Sequence, residues 1–151
     1  MKISSINELK KISENIREKI LPGDNIFLFG EIGVGKTTFA RILINSFEKP
    51  KQLKESEVLS PTFNIIFEYD IKDFIIKHYD LYRLSNEKDI ENIGLFENLD
   101  SCINIIEWPE LITKKPINRI DLFFEYADDD ESRLLNIKTF GRLKDLSLIH
   151  I

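Results

Sequence analysis

The stretch Phe27-Leu28-Phe29-Gly30-Glu31-Ile32-Gly33-Val34-Gly35-Lys36-Thr37-Thr38 runs from an apolar strand through a glycine-rich turn into a helix start. It constrains the fold more than any other segment, because G-x-x-x-x-G-K-[ST] in that context is a phosphate-binding P-loop. Phosphate oxygens need backbone N–H groups turned inward, and glycines let the main chain curl around an anion without Cβ clashes. Lys36 is placed to reach the terminal phosphates as a point charge. The Thr37 hydroxyl is at the spacing that ligates a magnesium ion bridging those oxygens. The helix opening at Lys36 adds its positive end. The predicted nucleotide cradle is therefore Glu31, Ile32, Gly33, Val34, Gly35, Lys36, Thr37 and Thr38. Such a pattern also arises by chance in turns between any strand and any helix, and the flanking elements are what argue for the functional reading here.

The rest of the chain supplies the layers that a P-loop needs. Ile6, Leu9, Ile12, Ile16 and Ile20 form one stripe of a helix, with Ser5-Ile6-Asn7-Glu8 spaced as a capping box and Leu21-Pro22-Gly23-Asp24 as its stop. Ile26 to Phe29 has no polar alternation, as in a central strand covered on both faces. The helix after the P-loop is predicted from Lys36 to Phe47, with its apolar face on the sheet, and Lys49 to Ser60 as an exposed loop that shifts between nucleotide states. Phe63 to Tyr69 and Phe74 to Tyr82 read as a β-hairpin about Asp70-Ile71-Lys72-Asp73, which makes the sheet mixed. A short helix over Asn86 to Ile93 ends at Gly94, and Leu95 to Leu99 adds a further turn or two. Ile103 to Ile106 is a strand ending at Glu107-Trp108-Pro109. Ile120 to Tyr126 and Leu134 to Phe140 form a second hairpin around the solvated acidic tip Asp128-Asp129-Asp130-Glu131. The expected fold is α/β: a single P-loop NTPase domain over 1–151, with a mixed, partly antiparallel sheet flanked by helices.

Composition narrows the partners. A chain of 151 residues that is 42% hydrophobic has material for one substantial core. A net charge of −5 leaves no global basic field, which disfavours tight, direct RNA binding while permitting a local patch. Cys102, the one cysteine, reads as a small buried hydrophobe; its solitude excludes an internal disulfide and fits a reducing compartment. With no leader-like or membrane-spanning run, the chain is expected to be soluble and cytoplasmic, without a membrane partner.

Nucleotide turnover also needs a second magnesium carboxylate and a means of orienting water. Glu107, at the end of an apolar strand, is the candidate Walker B acid, its longer side chain reaching the ion directly or through a water. His78-Tyr79-Asp80-Leu81-Tyr82-Arg83-Leu84 places His78, Asp80 and Tyr82 on one strand face and Arg83 on the other. Asp80 suits the lytic water or the magnesium hydration shell, or equally a cross-strand partnership with His78 or Arg83. Ser60 and Thr62 offer hydroxyls to a γ-phosphate or simply form a turn. Trp108 packs, or flanks the nucleotide. Lys114-Lys115 reads as a solvated loop.

Gly30 to Phe39, Ser60-Pro61-Thr62-Phe63, His78 to Leu84 and Ile106-Glu107-Trp108-Pro109, in this order and separation, resemble the TsaE (YjeE) family of ATPases. That resemblance covers Ser5 to Glu110 well and the last forty residues only in pattern. It implies ATP and Mg2+ at the Walker A motif, and TsaB and TsaD as partners in forming threonylcarbamoyladenosine next to the transfer-RNA anticodon. In that picture the chain does not perform the transfer; it hydrolyses ATP to reset the TsaB–TsaD complex. Carried over by position, Lys36, Asp80 and Glu107 are the catalytic residues, and Thr37 and Glu107 serve magnesium. Thr38 donates to the α-phosphate, and Trp108, Glu110 and Arg133 belong with the nucleotide contacts. Ile32 and Val34 replace the family's usual Leu and Ala, mild changes in volume.

Three rival readings share the P-loop. A small-molecule kinase needs an acceptor pocket and a lid carrying arginines, and no arginine cluster is present. A GTPase switch needs D-x-x-G and N-K-x-D, and Asn86-Glu87-Lys88-Asp89 has its lysine one place late. A non-hydrolysing interaction switch remains the third. Isolated P-loop proteins hydrolyse slowly until a partner completes the site, so weak activity alone is expected, with Arg83 as a possible source of the missing charge in cis.

Overall fold

The computed structural model describes residues 1–144; residues 145–151 of the expected domain lie outside the described residues. Helix α1 (Ile6–Lys19) starts where its cap predicts, with Ser5 Oγ accepting from the Glu8 N–H at 3.2 Å. The returning half of the capping box closes one residue early, since the Glu8 carboxylate accepts from the Ser4 N–H at 2.9 Å. Leu9, Ile12, Ile16 and Ile20 bury the predicted stripe, whereas Ile6 at its head is half exposed.

Seven strands form one sheet in the order β1-β7-β6-β2-β5-β4-β3. These are β1 (Lys2–Ile3), β2 (Asn25–Phe29), β3 (Ile66–Asp70), β4 (Ile75–Asp80), β5 (Cys102–Glu107), β6 (Arg119–Tyr126) and β7 (Arg133–Phe140). Strand β2 is flanked by β5 and β6, parallel to both, and β4 runs parallel to β5. The remaining pairs are antiparallel, so the predicted mixed sheet and both predicted hairpins are present. Alternation along β2 sorts side chains between two cores. Ile26 and Leu28 pack with α1 and with α2 (Lys36–Glu48), while Phe27 packs on the other face with Tyr79, Ile106 and Ile90 of α3 (Glu87–Asn92).

Several boundaries differ from expectation. Strand β3 begins at Ile66, because the Ile65 N–H is drawn into a turn onto Pro61 O. Strand β4 ends at Asp80, because the Leu81 N–H turns to Glu107 O at 3.1 Å; Tyr82 therefore follows the strand instead of continuing its face. The segment expected as an exposed loop opens with a 3₁₀ turn (Lys49–Lys51) and is tied down further on. There the Glu48 carboxylate accepts from the Ser56 N–H at 2.9 Å and Val58 is buried. Strand β1 was not foreseen, two residues being too few to show a period. No helix among the described residues is long and apolar enough to cross a membrane. Cys102 is buried, as expected.

The consequence for function lies at one edge. Parallel β2, β4 and β5 end together, with Leu28 opposite Glu107 and Asp80 opposite Glu107. Crevices at the carboxyl ends of parallel strands are where open α/β sheets place their sites.

Candidate nucleotide-binding site

The P-loop turns sharply off β2. A Cβ on Gly30 would stand 2.7 Å from Phe124 O, so only glycine lets the loop leave the strand alongside β6. Lys36 opens α2 with its side chain folded back, Nζ donating to Gly30 O and lying 3.5 Å from the centroid of the Trp108 ring. Burial pushes the Lys36 amine below its ordinary range, against the opposing pull of Glu107, Glu110 and Asp80. The ammonium thus sits on an indole face and a carbonyl, neither of which carries a full negative charge.

Behind it, Thr37 Oγ1 donates to Glu107, 2.9 Å from Oε1 and 3.1 Å from Oε2. The same carboxylate meets buried His78, Nε2 to Oε2 at 2.6 Å. Hydroxyl and carboxylate are hard oxygen donors, and neighbouring vertices of a magnesium octahedron with bonds of about 2.1 Å lie about 3 Å apart. The Thr37–Glu107 spacing meets that requirement. Among the described residues no three His, Cys, Asp or Glu side chains cluster to cage a metal. The donor set therefore fits an ion that keeps waters and phosphate oxygens as its other ligands.

Asp80 lies at the same edge, where Oδ2 accepts from Ser60 Oγ at 2.7 Å and Thr62 Oγ1 at 3.0 Å, and Oδ1 from the Tyr82 N–H at 3.0 Å. The cross-strand option is thereby decided, since His78 goes to Glu107 and Arg83 turns outward onto Phe63. Tyr82 packs on Trp108 with ring centroids 4.8 Å apart. Together Ile32, Thr37, Ser60, Asp80, Glu107 and Trp108 help line a cleft of about 370 Å³.

A second cleft of about 290 Å³ shares Gly33, Gly35 and Thr38 with the first and lies toward the start of α1. Its walls include Ser5, Ile6, Leu9, Phe124 and Arg133. Arg133 Nε donates to Val34 O at 2.8 Å, its guanidinium lying 4.3 Å from the Tyr126 ring, and Tyr126 OH donates to Ile32 O at 3.3 Å. The second hairpin thus clamps the P-loop by two of its carbonyls.

The family described as "Threonylcarbamoyl adenosine biosynthesis protein TsaE" matches residues 3–135. The chain belongs to the TsaE family. Its TsaE relative from Rickettsia conorii is 34% identical over 140 residues, 91% of this chain and 76% of the relative. That from Rickettsia typhi is 32% identical over 146 residues, covering 95% and 96%. Both carry the name tRNA threonylcarbamoyladenosine biosynthesis protein TsaE. Among solved structures, YdiB of Bacillus subtilis superposes with a TM-score of 0.72 at 25% identity, covering 93% of this chain and 84% of that one.

Within this TsaE-family fold, Lys36, Thr37, Glu107, Asp80 and Trp108 converge on one cleft, and Thr38 stands between the two. Glu31 contributes a carbonyl that accepts from the Val34 N–H at 3.2 Å. Glu110 is exposed in a 3₁₀ turn (Pro109–Leu111), its carboxyl pushed up by lost hydration and held down by Lys36. Arg83 lines neither cleft. Tyr126 was not foreseen at the site, and His78 was foreseen only as a cross-strand partner of Asp80, whereas it meets Glu107. The signal for His78 was present in its spacing, two residues before Asp80 on the same strand face.

Proposed function

We propose that this TsaE-family protein binds ATP with magnesium and hydrolyses it in support of TsaB and TsaD during threonylcarbamoyladenosine formation on transfer RNA. The observation that carries the reading is the Thr37–Glu107 contact beside the folded-back Lys36. When bound, magnesium supplies charge neutralisation across the phosphate oxygens, and Thr37 and Glu107 are the residues that would hold it. Lys36 exchanges an indole and a carbonyl for phosphate, and the P-loop N–H groups at the start of α2 accept the remaining charge. The second cleft, with Ile6, Leu9 and Phe124 among its walls, suits a flat base on the far side of Thr38. That would place Arg133 near the nucleoside while its Nε steadies the loop.

Asp80 has its carboxylate engaged by Ser60, Thr62 and the Tyr82 N–H, which favours its holding the loop that faces the γ-phosphate. Because Arg83 turns away from the cleft, a partner is the natural source of the missing cation, and hydrolysis alone should be slow. Phosphate release from ATP tests this: the protein alone, the protein with TsaB and TsaD, and each with Lys36→Ala or Glu107→Ala. Faster release with the pair, lost in both variants, is expected. If wild type with the pair is no faster than the variants, hydrolysis is not its activity and a nucleotide-dependent switch stands in its place. A phosphorylated small-molecule product would instead indicate a kinase.

A further inference from the structure

Burying an imidazole costs free energy unless its nitrogens are hydrogen-bonded. His78 is fully buried, and its Nδ1 finds no hydrogen-bond partner among the described residues. An apolar side chain would fill the same space without that cost. Among the described residues the one polar contact the ring makes is Nε2 to Glu107 Oε2, at 2.6 Å. With no partner at Nδ1, the ring proton belongs on Nε2, so His78 donates and Glu107 accepts.

The backbone builds this contact. His78 is paired with Ile105 and Asp80 with Glu107 across β4 and β5, so His78 stands diagonally behind Glu107 on the same sheet face. From there it reaches the carboxylate from the core side while Thr37 approaches from the start of α2. We propose that His78 is the positioning residue for Glu107: it holds Oε2 so that the carboxylate is presented, with the Thr37 hydroxyl, to a divalent cation. The inference rests on the magnesium-nucleotide reading above. Partners of this kind fix the orientation of a ligating group, and their loss typically weakens metal binding by about 10- to 100-fold.

Two variants separate positioning from packing. His78→Leu keeps most of the volume and removes the donor, whereas His78→Gln carries an N–H to nearly the position of Nε2. The readout is the magnesium concentration giving half-maximal binding of a fluorescent ATP analogue, alongside binding with chelator present and the melting temperature. His78→Leu should raise the magnesium requirement by about tenfold or more, with the chelated affinity little changed, and His78→Gln should recover most of the loss. Adding either change to Glu107→Ala should have no further effect. A measurement on the wild type alone covers the case in which His78→Leu does not fold: the nitrogen chemical shifts of the ring must show the Nε2–H tautomer.

An Nδ1–H tautomer, an unchanged magnesium requirement in His78→Leu, or equal losses in both variants would overturn the proposal. If wild type itself shows no magnesium-dependent nucleotide binding, the function proposed above fails, and this inference with it. Normal wild-type binding with an unaffected His78→Leu removes only the role of His78.

Discussion

Thr37 Oγ1 stands 2.9 Å from Glu107 Oε1, a contact between side chains 70 residues apart in the chain. It exists because β2 runs parallel to β5 with Leu28 opposite Glu107, so the P-loop and the acid emerge at the same sheet edge. Two hard oxygens at this spacing favour magnesium, and removing either should uncouple nucleotide affinity from the ion. With wild type, a fluorescent ATP analogue should bind about tenfold or more tightly in magnesium than in chelator, about 1.4 kcal/mol or more. Glu107→Ala and Thr37→Ala should bind equally in both conditions, and Thr37→Ser should behave as wild type. A magnesium gain that survives Glu107→Ala would remove that residue from the ion site.

Lys36 gives the site a pH signature. Burial holds its amine below the ordinary value of 10.5, so in the alkaline range the unfolded chain keeps this proton longer than the folded one. The lysine therefore opposes folding fully below its folded pKa, and that opposition is relieved as pH rises toward 10.5. The negative charge of phosphate outweighs the desolvation and raises the amine's pKa, so nucleotide binding should take up a proton in the window beneath 10.5. Titration calorimetry in buffers of different ionisation enthalpy should register that proton and a matching loss of affinity there. Lys36→Arg should show neither; an identical profile in the variant would assign the proton to another group.

Arg133 is predicted to act on the loop through Val34 O as well as on a nucleoside. Arg133→Ala removes a charged donor and its stacking on Tyr126, contacts worth about 1–3 kcal/mol together. Nucleotide affinity should fall by about tenfold. Amide exchange of the P-loop should accelerate even without nucleotide, which a residue touching only ligand would not cause.

Asp80 should prove to be an anchor. In Asp80→Ala, Ser60, Thr62 and the Tyr82 N–H lose their shared acceptor, and the segment from Ser60 to Ile65 should open locally without global unfolding. Limited proteolysis there, faster in the variant at an unchanged melting temperature, is the check. Unchanged cleavage would return Asp80 to the alternative of acting on water.

The parts of this site that were legible from sequence are those encoded locally. The P-loop was readable because its spacing is contiguous, and β5 because an unbroken apolar run ends in Glu107. Placing Glu107 against Thr37 needed only the habit of parallel sheets to gather strand ends. What escaped depends on register. His78 and Glu107 meet diagonally across β4 and β5, and Asp80 could be separated from His78 only once Ser60 and Thr62 were seen to occupy it. Tyr126 reaches the P-loop from a hairpin about a hundred residues later, a relation no local pattern carries, and Arg133 beside it was reached only through the family resemblance. Strand β1 exists only through its pairing with β7.

Gly30 and Gly35 are alike in the motif but not in their surroundings. Gly30 has φ 146° and Gly35 has φ 123°, both in the region that favours glycine. A Cβ on Gly35 would meet nothing within 4 Å, so Gly35→Ala bears only backbone strain, of order 1–3 kcal/mol. A Cβ on Gly30 would stand 2.7 Å from Phe124 O and 2.8 Å from Val34 Cγ1. The valine can turn aside. The carbonyl cannot, because β6 is fixed to β2 with Phe29 opposite Phe123, and moving it breaks the central parallel pair. Gly30→Ala should therefore add about 1–3 kcal/mol of overpacking to a similar strain and lower the denaturant midpoint further than Gly35→Ala does. If Gly35→Ala proves the more damaging, the tight approach of the P-loop to β6 is not what requires Gly30.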